Sequence, residues 1–408
     1  MAIGLTATGL TASQLADYQR DGFVVLRNVF SDAEISRLET GFARNPPVDG
    51  TLYDVKSLTY PEPGRYTLAN NCLKDPDLAF LAEHPAVTSA VGDALGGDPK
   101  LTTYVIYERT PGGAGIPSHN DYKRWRPVGS SMNWAFTVVP FCDFDSEAGQ
   151  LFVAPGSHRL DRISVGPERP LTVEPAIKPS EDDFIDPALC RGDLLVMNMH
   201  TWHRASGNRS DHSRSGAFNK YASADAPPAT GYYIYDSDVH DALTPDGRSV
   251  LAVHSDLPVT TTRLLLTRPA ADDTQEILLM VGDDGKLRLP GGPVFVEQAI
   301  ADWDRGNYIA SLQAAIRDRL RVETPWVSYV GDYAEPTGLC RLYAYDLTGL
   351  GFPVSYDGRW LNRQQVESAR SDLAFGYEPD AWDLWCDPSI VRGKGLTQAQ
   401  CRVNQYAY

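Results

Sequence analysis

Cysteine is scarce and scattered. The chain holds six in 408 residues, with no Cys-x-x-Cys pair, which excludes a disulfide-stapled secreted domain and a cysteine-built zinc site and leads us to expect free thiols in a reducing cytosol. Positive charge is in deficit as well: 37 Lys and Arg stand against 53 Asp and Glu, a formal charge of -16. Phosphate backbones and anionic lipid surfaces would repel such a protein, so neither a nucleic acid polymer nor a membrane is expected as partner. Long apolar runs are missing. Stretches such as Leu194–Met197 fall far short of the roughly 20 residues of a membrane helix. The opening MAIGLTATGLTASQLADY lacks the basic and continuous apolar regions of a secretory signal, so a cytoplasmic location is expected. Internal repeats and low-complexity tracts are absent too. What remains is a globular composition, 42% hydrophobic and 22% charged, long enough for more than one domain.

The N-terminal segment reads helix, strand, helix. Ser13–Arg20 is amphipathic, Phe23–Leu26 is β-rich, and Ser31-Asp-Ala-Glu34 is a capping box opening a helix with Ile35, Leu38 and Phe42 on one face. A further helix is expected from Pro76 to Leu95, ended by Gly96-Gly97. From Leu101 to Tyr221 short β-rich runs alternate with Gly/Pro/Asp turns, the texture of an antiparallel sandwich or barrel. Gly231–Tyr235 allows one more strand, and residues 236–258, rich in Asp, Pro and Gly, read as a linker. From Val259 onward strands and a helix over Ile309–Val322 indicate a separate α/β or α+β domain. The expected domains are therefore 1–235 and 259–408.

One constellation carries chemistry. His119-Asn-Asp121 follows a β-rich run, and residues two apart on an extended chain point to one side, so both can grip a metal. With eight histidines in the chain, the triplet alone is weak, and His254-Ser-Asp256 is a decoy of the same form. A facial triad needs a second histidine from another strand. Downstream, Gly192-Asp193 leads to His200 and His203, and Arg214 follows. An arginine there can hold a carboxylate with a fork of two hydrogen bonds. Three protein ligands on one face leave three positions on iron for a bidentate 2-oxo acid and dioxygen.

Four segments together resemble the phytanoyl-CoA dioxygenase-like Fe(II)/2-oxoglutarate oxygenases over about residues 14–223. They are Tyr18-x-x-Asp-Gly-Phe-Val-Val-Leu26, Pro117-Ser-His119-Asn-Asp121, Glu147-Ala-Gly-Gln-Leu-Phe-Val-Ala-Pro-Gly-Ser-His158, and Gly192 through His203 to Arg214. The resemblance implies a double-stranded β-helix (jelly-roll) core, iron bound by His119, Asp121 and His203, and Arg214 paired to the far carboxylate of 2-oxoglutarate. The eleven residues from His203 to Arg214 match the family spacing, which sets His200 aside. Tyr107, on the strand before the triplet, is placed by the resemblance beside the co-substrate, and His158 reads as a structural hydrogen bonder. Ser118 and Ala148 depart from the family pattern away from the ligands, which bears on substrate identity. Asp121 is retained where related halogenases carry a small residue, so hydroxylation is the default, with desaturation or cyclisation as variants.

Substrate contacts are sought just after the triplet. Tyr122-Lys-Arg124-Trp125-Arg126 concentrates cations on an acidic protein and can steer an anionic small molecule; Asn133 and Trp134 are further candidates.

The second domain resembles a Nudix fold. Leu287-Arg-Leu-Pro-Gly291-Gly292, the helix from Ser311 to Glu323 and Gly358-Arg-Trp360 carry the likeness. Nudix hydrolysis needs a helix bearing a glutamate cluster that holds divalent metal against a diphosphate. Here Ala314, Ala315, Asp318 and Arg319 occupy those positions, and Glu297 lies in an over-long loop. The expected fold class is thus an oxygenase jelly roll followed by an α/β/α Nudix-like domain without hydrolase activity, able to bind a phosphorylated group or to make a homodimer contact. The expected function is Fe(II)/2-oxoglutarate-dependent oxidation of a small polar or anionic metabolite in a specialised biosynthetic pathway, with succinate and CO2 released. The alternatives are a bifunctional protein whose second domain hydrolyses a nucleoside diphosphate derivative, and a non-catalytic scaffold.

Overall fold

The computed structural model describes residues 9–45, 65–121, 134–160, 178–228, 231–270, 274–294, 306–320, 327–347 and 358–390. They fall into two compact units: 9–121, 134–225 and 232–256 form the first, while 226–231 and the chain from 257 form the second.

The first unit begins with α1 (Ala12–Asp21), whose N-terminal amides are satisfied by a Thr11/Gln14 capping box. Its C-terminus is closed by Gly22 at φ 82°, in the left-handed region. A side chain at Gly22 would lie 2.4 Å from His158 Nδ1 and 2.5 Å from Thr201 Oγ1, so only glycine fits. Nε2 of His158 sits 3.2 Å from the Gln19 carbonyl, tying the Pro-Gly-Ser-His turn to this helix. Strand β1 (Phe23–Leu26) follows, then α2 (Asp32–Ala43), opened by the expected Ser31/Glu34 capping box.

After β2 (Arg65–Ala69), the single helix expected over Pro76–Leu95 is two: α3 (Pro76–Ala82) and α4 (Pro85–Leu95). Pro85 is the cause. It cannot donate a backbone hydrogen bond, and it forces His84 out of helical geometry, to ψ 125°, where the His84 ring caps the second helix. Gly96 ends α4 at φ 69° as expected.

The sheets then assemble from β3 (Pro99–Thr103), β4 (Val105–Arg109), β5 (Ile116–His119), β6 (Trp134–Pro140), β7 (Leu151–Val153), β8 (Leu194–Asn198), β9 (His203–Ala205) and β10 (Arg214–Ser223). A seven-stranded sheet runs β1-β8-β6-β10-β4-β2, with β3 also on β10; a three-stranded sheet runs β5-β9-β7. The strand pairs in both are antiparallel. This is the two-sheet jelly roll that the sequence led us to expect. β3 and β4 are divided at Tyr104, which is fully buried and donates its hydroxyl to the Leu78 carbonyl at 3.0 Å.

β10 is buried on both faces, because alternate residues serve different layers. Ala217 and Tyr221 join Ile35, Leu38, Leu78, Val87 and Val91 in the core beneath the helices. Fully burying each such aliphatic side chain contributes about 1.5–3 kcal/mol. Arg214, Phe218 and Lys220 point the other way, into a cavity.

Residues 236–258 are not a linker. They follow β11 (Ile234–Tyr235), hold a helix over Ser237–Ala242 and β12 (Val253–His254), which pairs with β11, and give Val239, Leu243, Val250 and Leu251 to the first unit's core. Apolar residues spaced among Asp, Pro and Gly account for the difference: the turn residues set the chain direction, and the hydrophobes between them still pack.

The second unit is a mixed sheet. β13 (Val259–Pro269) pairs in parallel with β18 (Gly338–Asp346) and antiparallel with β14 (Gln275–Val281), while β17 (Ser328–Glu335) lies beyond β18. β15 (Leu287–Arg288) and β19 (Arg359–Asn362) flank β14, and β16 (Gly291–Pro293) pairs with β13. A helix spans Gly306–Leu320, beginning before the expected Ile309, and two more cover Arg363–Ser368 and Glu378–Cys386. Leu265, Ile277, Leu279, Leu342, Val366 and Trp382 fill its core. Among the described residues no helix is long and apolar enough to cross a membrane, and Cys72, Cys142, Cys190, Cys340 and Cys386 are not joined in disulfides.

Candidate metal and co-substrate site

The jelly roll encloses a cavity of about 440 Å³ walled by β4, β5, β6, β9 and β10. Ring pairing places its first two residues. His119 ends β5 and His203 opens β9; the two are direct cross-strand partners, with ring centroids 4.3 Å apart. Asp121, two residues past His119, closes the group. The ligand atoms of His119, Asp121 and His203 lie within 4.8 Å of one another. His203 also stacks against Phe136, centroids 5.7 Å apart, which fixes the plane of its ring.

The tautomers follow from the backbone. His119 Nδ1 lies 2.8 Å from the Pro117 carbonyl and His203 Nδ1 lies 3.1 Å from the Thr201 carbonyl. A ring nitrogen that donates to a carbonyl carries the proton, so Nε2 is the bare nitrogen in each ring. Burial, then the neighbouring His119, push the His203 pKa down to about 4, which keeps its imidazole neutral. Burial alone would raise the Asp121 carboxyl, but the Lys220 cation beside it outweighs burial and holds the acid well below the usual range. Two imidazoles and a carboxylate on one face are the donor set suited to non-haem Fe(II).

Arg214 opens β10 and is buried. Its guanidinium carbon stands 3.6 Å over the Phe144 ring, while Nε and Nη2 find no acceptor among the described residues. Burial, reinforced by the nearby Arg109, pulls its pKa down to about 9. A buried guanidinium with unused donors is costly. Lining the same cavity as the triad, it fits the far carboxylate of a 2-oxo diacid. Tyr107 also lines that wall, edge-on to Phe218 at 5.1 Å.

Other expectations fare differently. Trp134 is buried at the start of β6 and is not among the cavity-lining residues, while Arg124, Trp125 and Asn133 lie outside the described residues. His200 is buried away from the triad, and the decoy His254 stacks instead on His240. Sequence reasoning missed Lys220, Arg109 and Phe136, all on the cavity wall. Counting by twos from Arg214 along one strand would have reached Phe218 and Lys220; Arg109 pairs with Arg214 only through the sheet register.

Residues 18–216 match the sequence model of phytanoyl-CoA dioxygenase. Ectoine dioxygenase of Bordetella parapertussis is 26% identical over 256 residues, covering 56% of this chain and 81% of that protein. The same protein from Bordetella bronchiseptica matches to the same extent. Among solved structures, the chain is similar to the α-ketoglutarate-dependent carbocyclase SnoK of nogalamycin biosynthesis, with TM-score 0.45, 20% identity, and 55% and 88% of the two chains covered. EctD from S. alaskensis, solved with 2-oxoglutarate and 5-hydroxyectoine, gives TM-score 0.45 and 20% identity over 54% and 79%. The matched segment contains the whole His-Asp-His group and Arg214; residues 18–216 form a phytanoyl-CoA dioxygenase-like domain, and the protein is a non-haem Fe(II)/2-oxoglutarate-dependent dioxygenase.

Proposed function

We propose that the protein hydroxylates, desaturates or cyclises an unactivated C–H position of a small polar or anionic metabolite in a specialised biosynthetic pathway. The observation that carries this reading is the pairing, within one cavity, of the His119/Asp121/His203 group with the unsatisfied donors of buried Arg214. His119, Asp121 and His203 would hold iron, and Arg214 the far carboxylate of 2-oxoglutarate, with Tyr107 beside it. When bound, the metal supplies the activation of dioxygen, coupled to conversion of 2-oxoglutarate to succinate and CO2.

The chain's own part is placement. Pro117 and Thr201 carbonyls aim the two imidazoles. Phe136 and Phe218 supply apolar wall near the ligands, which limits water at the reacting centre. With Lys220 set against Asp121, Arg109 and Arg204 still outnumber Glu108 in the lining, which supports a polar or anionic substrate. The similarity to ectoine dioxygenase, named for a small polar solute, supports that class too. Arg124, Trp125 and Asn133 remain proposed substrate contacts from the sequence alone.

For the second unit we propose a Nudix-like fold, without hydrolase activity. The mixed sheet with β13 parallel to β18, Gly291-Gly292 and the helix over Gly306–Leu320 support the fold; Ala314-Ala315 in place of the family's Arg-Glu, and Asp318-Arg319 in place of its paired Glu, support the loss of chemistry. A dimer contact is a further role proposed for it, and a cytoplasmic location is proposed for the whole protein.

Anaerobic titration with Fe(II) and 2-oxoglutarate tests the first reading. A visible metal-to-2-oxoglutarate charge-transfer band is expected, followed by substrate-dependent succinate release from a panel of small metabolites. No band from folded protein sinks it. Mg-dependent phosphate release from a nucleotide panel would overturn the non-hydrolytic reading of the second unit.

A further inference from the structure

We propose that Lys220 is a positioning residue of the iron centre: its ammonium holds one oxygen of Asp121, so that the carboxylate meets the metal through the other oxygen alone. The inference rests on the reading of His119, Asp121 and His203 as the ligands.

Lys220 is 2% exposed. A long cationic side chain is buried to that extent only where its charge is answered. Its Nζ lies 3.3 Å from Oδ2 of Asp121 and 4.8 Å from the centre of the Phe136 ring. The other carboxylate oxygen, Oδ1, lies 3.6 Å from His119 Nε2. The two oxygens of one carboxylate therefore have different neighbours, one the lysine cation and the other the His119 ring.

The lysine is held from its own backbone outward. Lys220 pairs with Phe136 on one side and with Thr103 on the other, and Thr102 Oγ1 donates to its carbonyl at 3.0 Å. The ladder with β3 shifts register between Lys220 and Tyr221, the kind of irregularity that aims a side chain near a site. Asp121, by contrast, lies beyond the last residue of β5, so strand pairing does not orient its carboxylate. Each ligand then has its own anchor: the Pro117 carbonyl for His119, the Thr201 carbonyl for His203, and Lys220 for Asp121. The functional consequence concerns coordination number. A carboxylate binding through both oxygens would occupy two of six positions and leave too few for a bidentate 2-oxo acid and a further ligand; a cation on Oδ2 disfavours that mode.

Co(II) in place of Fe(II) tests this without turnover. Full-length wild type, Lys220→Met and Lys220→Arg would be loaded anaerobically and titrated with 2-oxoglutarate, reading the visible Co(II) spectrum and the 2-oxoglutarate Kd. We expect Lys220→Met to bind Co(II) with an altered spectrum and a 2-oxoglutarate Kd raised about tenfold or more, and Lys220→Arg to return both toward wild type. A folded Lys220→Met protein with wild-type spectrum and Kd overturns the proposal, as does a change that Lys220→Arg fails to reverse, which marks packing damage. If Lys220→Met does not fold, Lys220→Gln is judged by the same criteria. Wild-type protein that binds no Co(II) overturns the ligand assignment itself, whereas failure of Lys220 alone leaves wild-type binding intact.

Discussion

His119 and His203 face each other across an antiparallel ladder, as direct partners of β5 and β9, with their ring centroids 4.3 Å apart. Two residues distant in sequence thereby meet in one cavity, and the backbone carbonyls of Pro117 and Thr201 set both tautomers.

Removing either ring breaks the donor set, with different side effects. His119 is partly exposed, whereas His203 is buried against Phe136. His119→Ala and His203→Ala should both lose stoichiometric Fe(II), measured as bound metal after anaerobic reconstitution. Only His203→Ala should also lower the thermal midpoint of the metal-free protein, because it leaves a cavity in packed surroundings.

Arg214 is costly until its ligand arrives. Its unsatisfied Nε and Nη2 lie in the protein interior, offset in part by the Phe144 face. Arg214→Met should leave the ligand-free protein no less stable than wild type, yet abolish the rise in thermal midpoint that 2-oxoglutarate gives the metal-loaded protein. Arg214→Lys keeps the charge but not the fork, and should raise the 2-oxoglutarate KM about tenfold or more. A Met variant that still responds to 2-oxoglutarate would rule out the pairing.

In the second unit, Arg263 meets Glu335 at 2.6 Å, with Tyr377 donating to the same carboxylate at 2.8 Å. Both members of the pair are buried. Glu335→Ala should destabilise by about 3–5 kcal/mol, since it strands a buried guanidinium. Replacing both with apolar residues should cost much less, and urea denaturation of the single and double variants measures the difference.

Glu378 is fully buried at the start of the last described helix. Burial raises its pKa, offset only in part by backbone amides of its own turn. A carboxyl whose folded pKa is raised binds its proton more tightly folded than unfolded, so its penalty is absent below the unfolded value and grows as pH rises toward the folded one. Glu378→Gln should therefore raise the thermal midpoint at pH 7–8, by about 2–4 °C per kcal/mol gained, and change little below pH 4. An equal gain at both pH values would exclude titration as the cause.

Much of this molecule was legible in order along the chain. The Ser31/Glu34 capping box, the β-rich runs and the Gly96 stop are local features, governed by hydrogen bonds and dihedral angles within a few residues, and the structure has them. Errors arose where local signals compete. Pro85 split a helix whose hydrophobic pattern runs on through it, and turn-rich residues 236–258 packed into a core because Val239, Leu243 and Val250 found partners far away in sequence.

The same division runs through the site. His119, Asp121, His203 and Arg214 could be proposed from residue type and order together with the family resemblance, because metal and carboxylate chemistry restricts which side chains can serve. The cation on Oδ2 of Asp121 could not, since Lys220 is 99 positions away and reaches it only when β10 crosses the cavity. Arg109 beside Arg214, and Phe136 against His203, are likewise products of strand register. The sequence by itself determined the proposed ligand set, through the chemistry of individual side chains, their order and the family resemblance. Only the tertiary structure decided how those ligands are anchored, walled and charged, because burial and cross-strand pairing depend on residues that meet only once the sheets have closed.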